Sequence, residues 1–113
     1  MGAVVVFGGS GFVGTHLCKY LAEVKGVRVI IADRREPGWH APSEIHPSRD
    51  VTYTPCDLRK PLAESFISEP ISAIVNLAAI HTSPGHPPHE YFEANILGAQ
   101  HVTAFAHARG IDS

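Results

Sequence analysis

The sequence predicts an open α/β sheet of parallel strands, and three observations carry that prediction. Val4-Val5-Val6-Phe7, preceded by Ala3, is an apolar run of strand length that stops at glycine. Gly8, Gly11 and Gly14 then follow at a spacing of three, and Val13, Leu17, Tyr20, Leu21 and Val24 recur at helical spacing. A second, β-branched run, Val27-Arg28-Val29-Ile30-Ile31-Ala32, comes within about thirty residues of the first. A strand, a helix and a strand that close in sequence form a βαβ unit, whose right-handed crossover pairs the strands in parallel.

At 113 residues the chain suits one small domain with a real core. Its 44% hydrophobic and 18% charged residues strike an ordinary globular balance, so no disordered or fibrous class applies. A net charge of −2 offers no electrostatic footprint for nucleic acid. No apolar run reaches membrane-spanning length, and Asn76 interrupts the longest candidate. The N-terminus has no charged region before its apolar run, so it is not read as a signal peptide. Gly2 invites myristoylation, but position 6 is Val rather than Ser or Thr. Cys18 and Cys56 lack a paired spacing and are expected to be buried thiols. The expected location is cytoplasmic.

The elements follow in order. The first helix is expected over 12–25, with Ser10 as its N-cap and Gly26 as the left-handed residue that stops it. The second strand covers 27–32 and ends at the charged run Asp33-Arg34-Arg35-Glu36. Pro37-Gly38, Pro42 and Pro47 forbid a long helix in the connection that follows, where Trp39 and Ile45 are expected to cover the sheet instead. Val51-Thr52-Tyr53-Thr54 reads as a third strand ended by Pro55. Pro61 is expected to open a short helix that sets Leu62 and Phe66 one turn apart, and Pro70 to close it. The fourth strand covers 71–77. A proline-rich loop leads to a last helix over 89–109, with Phe92, Ile96, Ala99, Val102 and Ala106 along one side and Gly110 as its stop. Residues 111–113 read as the approach to a fifth strand before which the chain stops. Right-handed crossovers then give the strand order 3-2-1-4, with the first helix on one face and the later two on the other.

Several residues in this frame carry chemistry. Glycine triplets also serve tight turns in proteins that bind nothing, but a strand before and a helix after are the context a dinucleotide fingerprint requires. Gly8 would turn the chain off the strand, Gly11 would let a pyrophosphate approach the backbone, and Gly14 would let helix and sheet pack closely. The helix N-terminus then presents N–H groups and a positive dipole end to the phosphates. Asp33 lies 19 positions after Gly14, where a carboxylate can accept from adenosine ribose hydroxyls; the same residue also suits the start of a polar turn. Arg34 and Arg35 could pair with a 2′-phosphate that Asp33 would repel. Asp57-Leu58 and Asn76-Leu77-Ala78-Ala79 fall at carboxyl ends of strands, where open parallel sheets bind ligands. Small Ala78 and Ala79 would admit a flat cofactor, or simply relieve crowding beside the glycine turn. His81, His86 and His89 lie close together, but with Glu90 as the only nearby acid and no Cys they read as solvated rather than as metal ligands. His16, His101 and His107 fall on helices as surface or satisfied residues, and Thr82 and Ser83 are weak substrate-contact candidates.

Taken together, Gly8-Gly9-Ser10-Gly11-Phe12-Val13-Gly14, Asp33, Asp57-Leu58, Asn76-Leu77-Ala78-Ala79 and the pattern Pro88-x-x-Tyr91-x-x-x-Asn95-x-x-Gly98 occur in the order found in extended short-chain dehydrogenases/reductases. The chain most resembles the NAD-dependent epimerase/dehydratase group that acts on nucleotide sugars, and the resemblance runs over its whole length. It implies a Rossmann-type fold binding NAD rather than NADP. Gly8, Gly11, Phe12 and Val13 would then hold the pyrophosphate, and Asp33 with Arg34 the adenosine ribose. Asp57 and Leu58 would flank the adenine, and Leu77, Ala78, Ala79 and His81 would pass beside the nicotinamide ribose. Asn95 would face the cofactor from the last helix; as a plain helix Asn it would instead bond a loop carbonyl.

The resemblance also implies a catalytic Ser or Thr and a Tyr-x-x-x-Lys after a fifth strand. Tyr20, Tyr53 and Tyr91 have no Lys four residues on. The chain therefore reads as the N-terminal portion of a dinucleotide-binding domain, with no second domain, that binds its cofactor without turnover. A small-molecule substrate belongs to a full-length parent, and the open edge of the fourth strand predicts self-association. A redox-sensing dinucleotide module and an interaction module without catalysis are the alternatives, and intact Gly11 and Asp33 argue against the second.

Overall fold

The computed structural model of the chain describes residues 2–34, 51–78 and 92–111. Its strands are β1 (Ala3–Phe7), β2 (Val29–Asp33), β3 (Val51–Pro55) and β4 (Ile71–Asn76). They form one parallel sheet in the order β3-β2-β1-β4, as the crossover argument requires. Val5 sits beside Ile30 on one side and Ile74 on the other, so the most apolar run occupies the centre. Strand order reverses at β1, whose neighbours β2 and β4 lead away in opposite directions.

The two faces of the sheet carry different cores. Helix α1 (Phe12–Glu23) covers one face, where Val6, Val29, Ile31 and Val51 bury against Cys18, with Leu17 and Leu21 packed alongside. On the other face Val5, Phe7 and Ile30 meet Leu58, Ile67, Val102 and Phe105. Phe7, Phe66 and Phe105 form an aromatic triangle there, with ring centroids 5.9–6.5 Å apart and Phe105 edge-on to both partners. The alternation of Val5 and Phe7 against Val6 is what lets one strand serve both cores.

Several boundaries differ from the sequence-based expectations. Helix α1 ends at Glu23, two residues early, because Val24 and Lys25 both direct their N–H groups to the Tyr20 carbonyl; Gly26 does take the left-handed conformation at φ 64°. Strand β2 begins at Val29 and takes in Asp33. The helix expected from Pro61 is a single 3₁₀ turn, Glu64–Phe66, because Ala63 is extended and only its carbonyl closes the turn on the Phe66 N–H. Leu62 and Phe66 nevertheless pack on the same core.

The last helix is composite. Phe92–Leu97 are π-helical and lead into α2 (Gly98–Ala108). A π segment rotates side chains out of phase with an α-helix, so Ile96 leaves the expected stripe, while Val102 is buried as expected. Ile96 is 51% exposed, and the buried face is Gly98, Val102 and Phe105. Gly110 adopts φ 70° and stops the helix as expected. Cys18 and Cys56 are buried free thiols. Among the described residues no helix is long and apolar enough to cross a membrane.

Candidate functional site

The site grows from the carboxyl end of β1. Phe7 accepts the Leu77 N–H at 2.7 Å, which draws the segment after β4 against the turn that leaves β1. Gly8 takes φ 78°, and its N–H reaches the Ala32 carbonyl at 2.9 Å. A Cβ on Gly8 would stand 2.6 Å from the Ala78 nitrogen, and one on Gly14 would stand 2.6 Å from the Gly8 oxygen. These two glycines are thus required by the protein's own packing. Gly11 is different. Its φ of −76° and ψ of 179° suit any residue, and among the described residues beyond its chain neighbours a Cβ there would meet only the Gly8 oxygen, at 3.7 Å. No internal contact accounts for glycine at this position, which leaves open room above the turn.

Gly11, not Ser10, is the N-cap of α1, and it has no side chain with which to cap the helix. Ser10 lies one residue before that cap, buried, and its N–H donates to Asp33 Oδ2 at 3.1 Å, which ties the turn to the end of β2. The first turn of α1, which carries Phe12 and Val13, holds no acidic residue. A helix start whose first turn carries no acidic residue fits an anion, and the space over Gly11 fits the approach of a phosphate. Val13 is 64% exposed on this rim.

Asp33 ends β2 beside the turn, half-buried, and Arg34 follows it, exposed. The sequence offered no sign of what holds Asp33 from behind. Its carbonyl accepts the Cys56 N–H at 2.9 Å and the Tyr53 hydroxyl at 3.0 Å. At the end of β3, Asp57 is gripped by Arg59, whose Nε and Nη2 donate to its two oxygens at 3.0 and 2.8 Å. Those bonds, with Arg34 adding its charge, hold the Asp57 carboxyl down at about 2. Arg59 went unnoticed in the sequence because a pair two residues apart has no periodic signature. Burial pushes the neighbouring Cys56 thiol up to about 11, with the charges of Asp57 and Asp33 adding to it, which favours the neutral thiol. Leu58 turns its side chain into the core, and its carbonyl meets His101 Nδ1 of α2 at 2.6 Å.

At the end of β4, Asn76 Oδ1 accepts the Ala78 N–H at 3.1 Å, a short-range clip that holds the segment beside Gly8. Ala78 therefore relieves crowding at the glycine turn and borders the open space together. Asn95 lies exposed on the π-helical segment. Ala79 and His81 lie outside the described residues, as do Arg35, Trp39, Ile45, Thr82, Ser83, His86, His89 and Tyr91. The structure thus brings Gly8, Leu77 and Ala78 into one contact, Ser10 and Asp33 into a second, and Asp57 and Leu58 to the far side of Asp33.

Residues 4–113 match the NAD dependent epimerase/dehydratase family. The chain belongs to that family. A UDP-glucose 4-epimerase of Halalkalibacterium halodurans is 32% identical over 100 residues, covering 85% of this chain and 28% of the epimerase. MoeE5, solved in complex with UDP-glucuronic acid and NAD, superposes with a TM-score of 0.76 at 27% identity, over 98% of this chain and 34% of MoeE5. A UDP-galactose 4-epimerase structure gives a TM-score of 0.77 at 23% identity, over 96% of this chain and 35% of that one, a likeness of fold. This epimerase/dehydratase family member thus spans about a third of the length of the relatives it matches. Its sheet is the Rossmann-type sheet expected from the sequence, and the family's dependence on NAD agrees with the expected cofactor.

Proposed function

We propose that these residues form the adenosine and pyrophosphate half of an NAD site in an enzyme acting on a nucleotide sugar. The observation that carries the proposal is Gly11: a glycine whose backbone does not need one, with nothing among the described residues beyond its chain neighbours closer than 3.7 Å to its missing Cβ, at the N-cap of a helix. Gly8, Gly11, Phe12 and Val13 border the pyrophosphate, Asp33 and Arg34 meet the adenosine ribose, and Asp57 and Leu58 flank the adenine. Leu77, Ala78, Ala79 and His81 run toward the nicotinamide ribose, and Asn95 approaches from the last helix. The relatives that act on or bind UDP-sugars support the substrate class.

Asp33 favours NAD over NADP, because a 2′-phosphate meets it as like charge at a cost of about 1–3 kcal/mol in a partly dry site. NAD supplies the hydride-accepting ring; the chain's part is to hold the other half of the molecule. Within the 113 residues no Tyr is followed four positions later by Lys, so the chain binds the dinucleotide without turning a substrate over. Affinity should lie between tens of micromolar and millimolar, about −4 to −6 kcal/mol.

Calorimetric titration with NAD tests this. Gly11→Val keeps an allowed backbone but fills the phosphate space, and should abolish measurable binding while the circular-dichroism spectrum is preserved. Equal NAD affinity in the folded variant would remove the phosphates from this turn.

A further inference from the structure

Tyr53 is the second observation at Asp33. It stands on β3 opposite Ile31, and its ring packs on the α1 side of the sheet. Its hydroxyl runs along the sheet to the end of β2 and donates to the Asp33 carbonyl at 3.0 Å. The Cys56 N–H reaches the same oxygen at 2.9 Å. A carbonyl oxygen offers two lone pairs, and two donors on it hold the peptide plane between Asp33 and Arg34 against rotation. From the front, the Ser10 N–H holds Asp33 Oδ2 at 3.1 Å. The residue is therefore fixed at both its carboxylate and its carbonyl, by partners from two different elements.

That peptide joins two residues of opposite effect. Asp33 accepts from a ribose hydroxyl and repels a phosphate, whereas Arg34, exposed, attracts one. We propose that Tyr53 is a positioning residue that locks the Asp33–Arg34 peptide with the carboxylate forward, and so sets the discrimination between a ribose 2′-hydroxyl and a 2′-phosphate. The inference rests on the dinucleotide site proposed above and adds to it the device that keeps it selective. Without the hydroxyl, the carbonyl loses one of these two donors, and the bond from Cys56 is left to hold it. The peptide then rocks, Asp33 meets the ribose less often, and Arg34 gains access to a phosphate.

The test is Tyr53→Phe in the 113-residue chain, which keeps the ring in its packing and removes one oxygen. NAD and NADP are titrated separately against wild type and variant, below the thermal midpoint of each. Loss of one positioned hydrogen bond should weaken NAD by about three- to tenfold. NADP should be unchanged or tighter, so the preference for NAD falls by at least about threefold. A merely structural role for Tyr53 would weaken both ligands by the same factor, and that result, or no change in NAD, overturns the inference. Asp33→Ala is the control for the site itself. If it leaves NAD binding intact, the dinucleotide reading fails; if it weakens NAD while Tyr53→Phe leaves the preference unaltered, only the role of Tyr53 fails.

Discussion

At the amino end of the sheet, side chains bind elements to one another. Arg28 grips Glu69 through Nε and Nη2 at 3.0 and 2.9 Å and reaches Thr52 at 3.1 Å, spanning the entries to β2, β3 and β4. Arg109, just past α2, donates to the carbonyls of Glu64, Ile67 and Glu69 and lies over the Phe105 ring. At the carboxyl end, by contrast, Asn76 clips Ala78 and Arg59 clips Asp57 two residues away, and bonds from other elements gather on Asp33, which takes the Ser10 N–H. The amino end is tied by arginines that each bridge several elements, and the carboxyl end by short clips beside the glycine turn and by bonds gathered on Asp33. The difference teaches where stability and where ligand binding are expected to respond to substitution, and the two should separate.

The largest effect breaks the carboxyl end at its steric glycine. Gly14→Ala places a Cβ 2.6 Å from backbone atoms of Gly8 and Gly9, which cannot move aside as a side chain would. Stability should fall by about 3 kcal/mol. Gly11→Ala, three residues earlier, should cost no more than about 1 kcal/mol, mostly the poorer N-cap. Urea unfolding of the two variants checks the pair, and similar losses would erase the distinction between packing glycine and ligand glycine.

A smaller effect sharpens the amino end. Glu69→Gln removes the charge that Arg28 grips, in a pair whose side chains are 31% and 38% exposed. The expected loss is about 0.5–1 kcal/mol, since half-exposed pairs are screened. NAD affinity should stay within about twofold, because the pair lies at the far end of the sheet. A parallel loss of affinity in calorimetry would show that the two ends are coupled.

The smallest effect is acid-dependent. Arg59 holds the Asp57 carboxyl at about 2, below its ordinary 3.8. A lowered carboxylate contributes stability that is present above the ordinary value and lost as pH falls from about 4 to about 2. Thermal midpoints measured across that window should drop slightly more steeply in wild type than in Asp57→Asn. Identical slopes would mean that the exposed pair does nothing for the fold.

Much of the architecture follows from the sequence alone, because its causes are local. Apolar runs of strand length placed all four strands, and Gly26 and Gly110 marked helix stops that need positive φ. One βαβ unit and the handedness of crossovers were enough for the strand order. The glycine triplet, Asp33 and the ends of β3 and β4 were found by spacing, which reflects chain geometry rather than contacts. Tertiary structure decided the rest. Gly11 rather than Ser10 stands at the N-cap, and the Ser10 N–H goes to a carboxylate 23 residues away. The buried face of α2 shifts to Phe105 because the preceding turns are π-helical. Which glycine the packing requires and which leaves open room depends on how near the backbone of Gly8, Gly9 and Ala78 comes, a distance no motif encodes. Tyr53 behind Asp33 and His101 behind Leu58 join positions 20 and 43 residues apart, and pairs made only on folding leave no pattern in the chain.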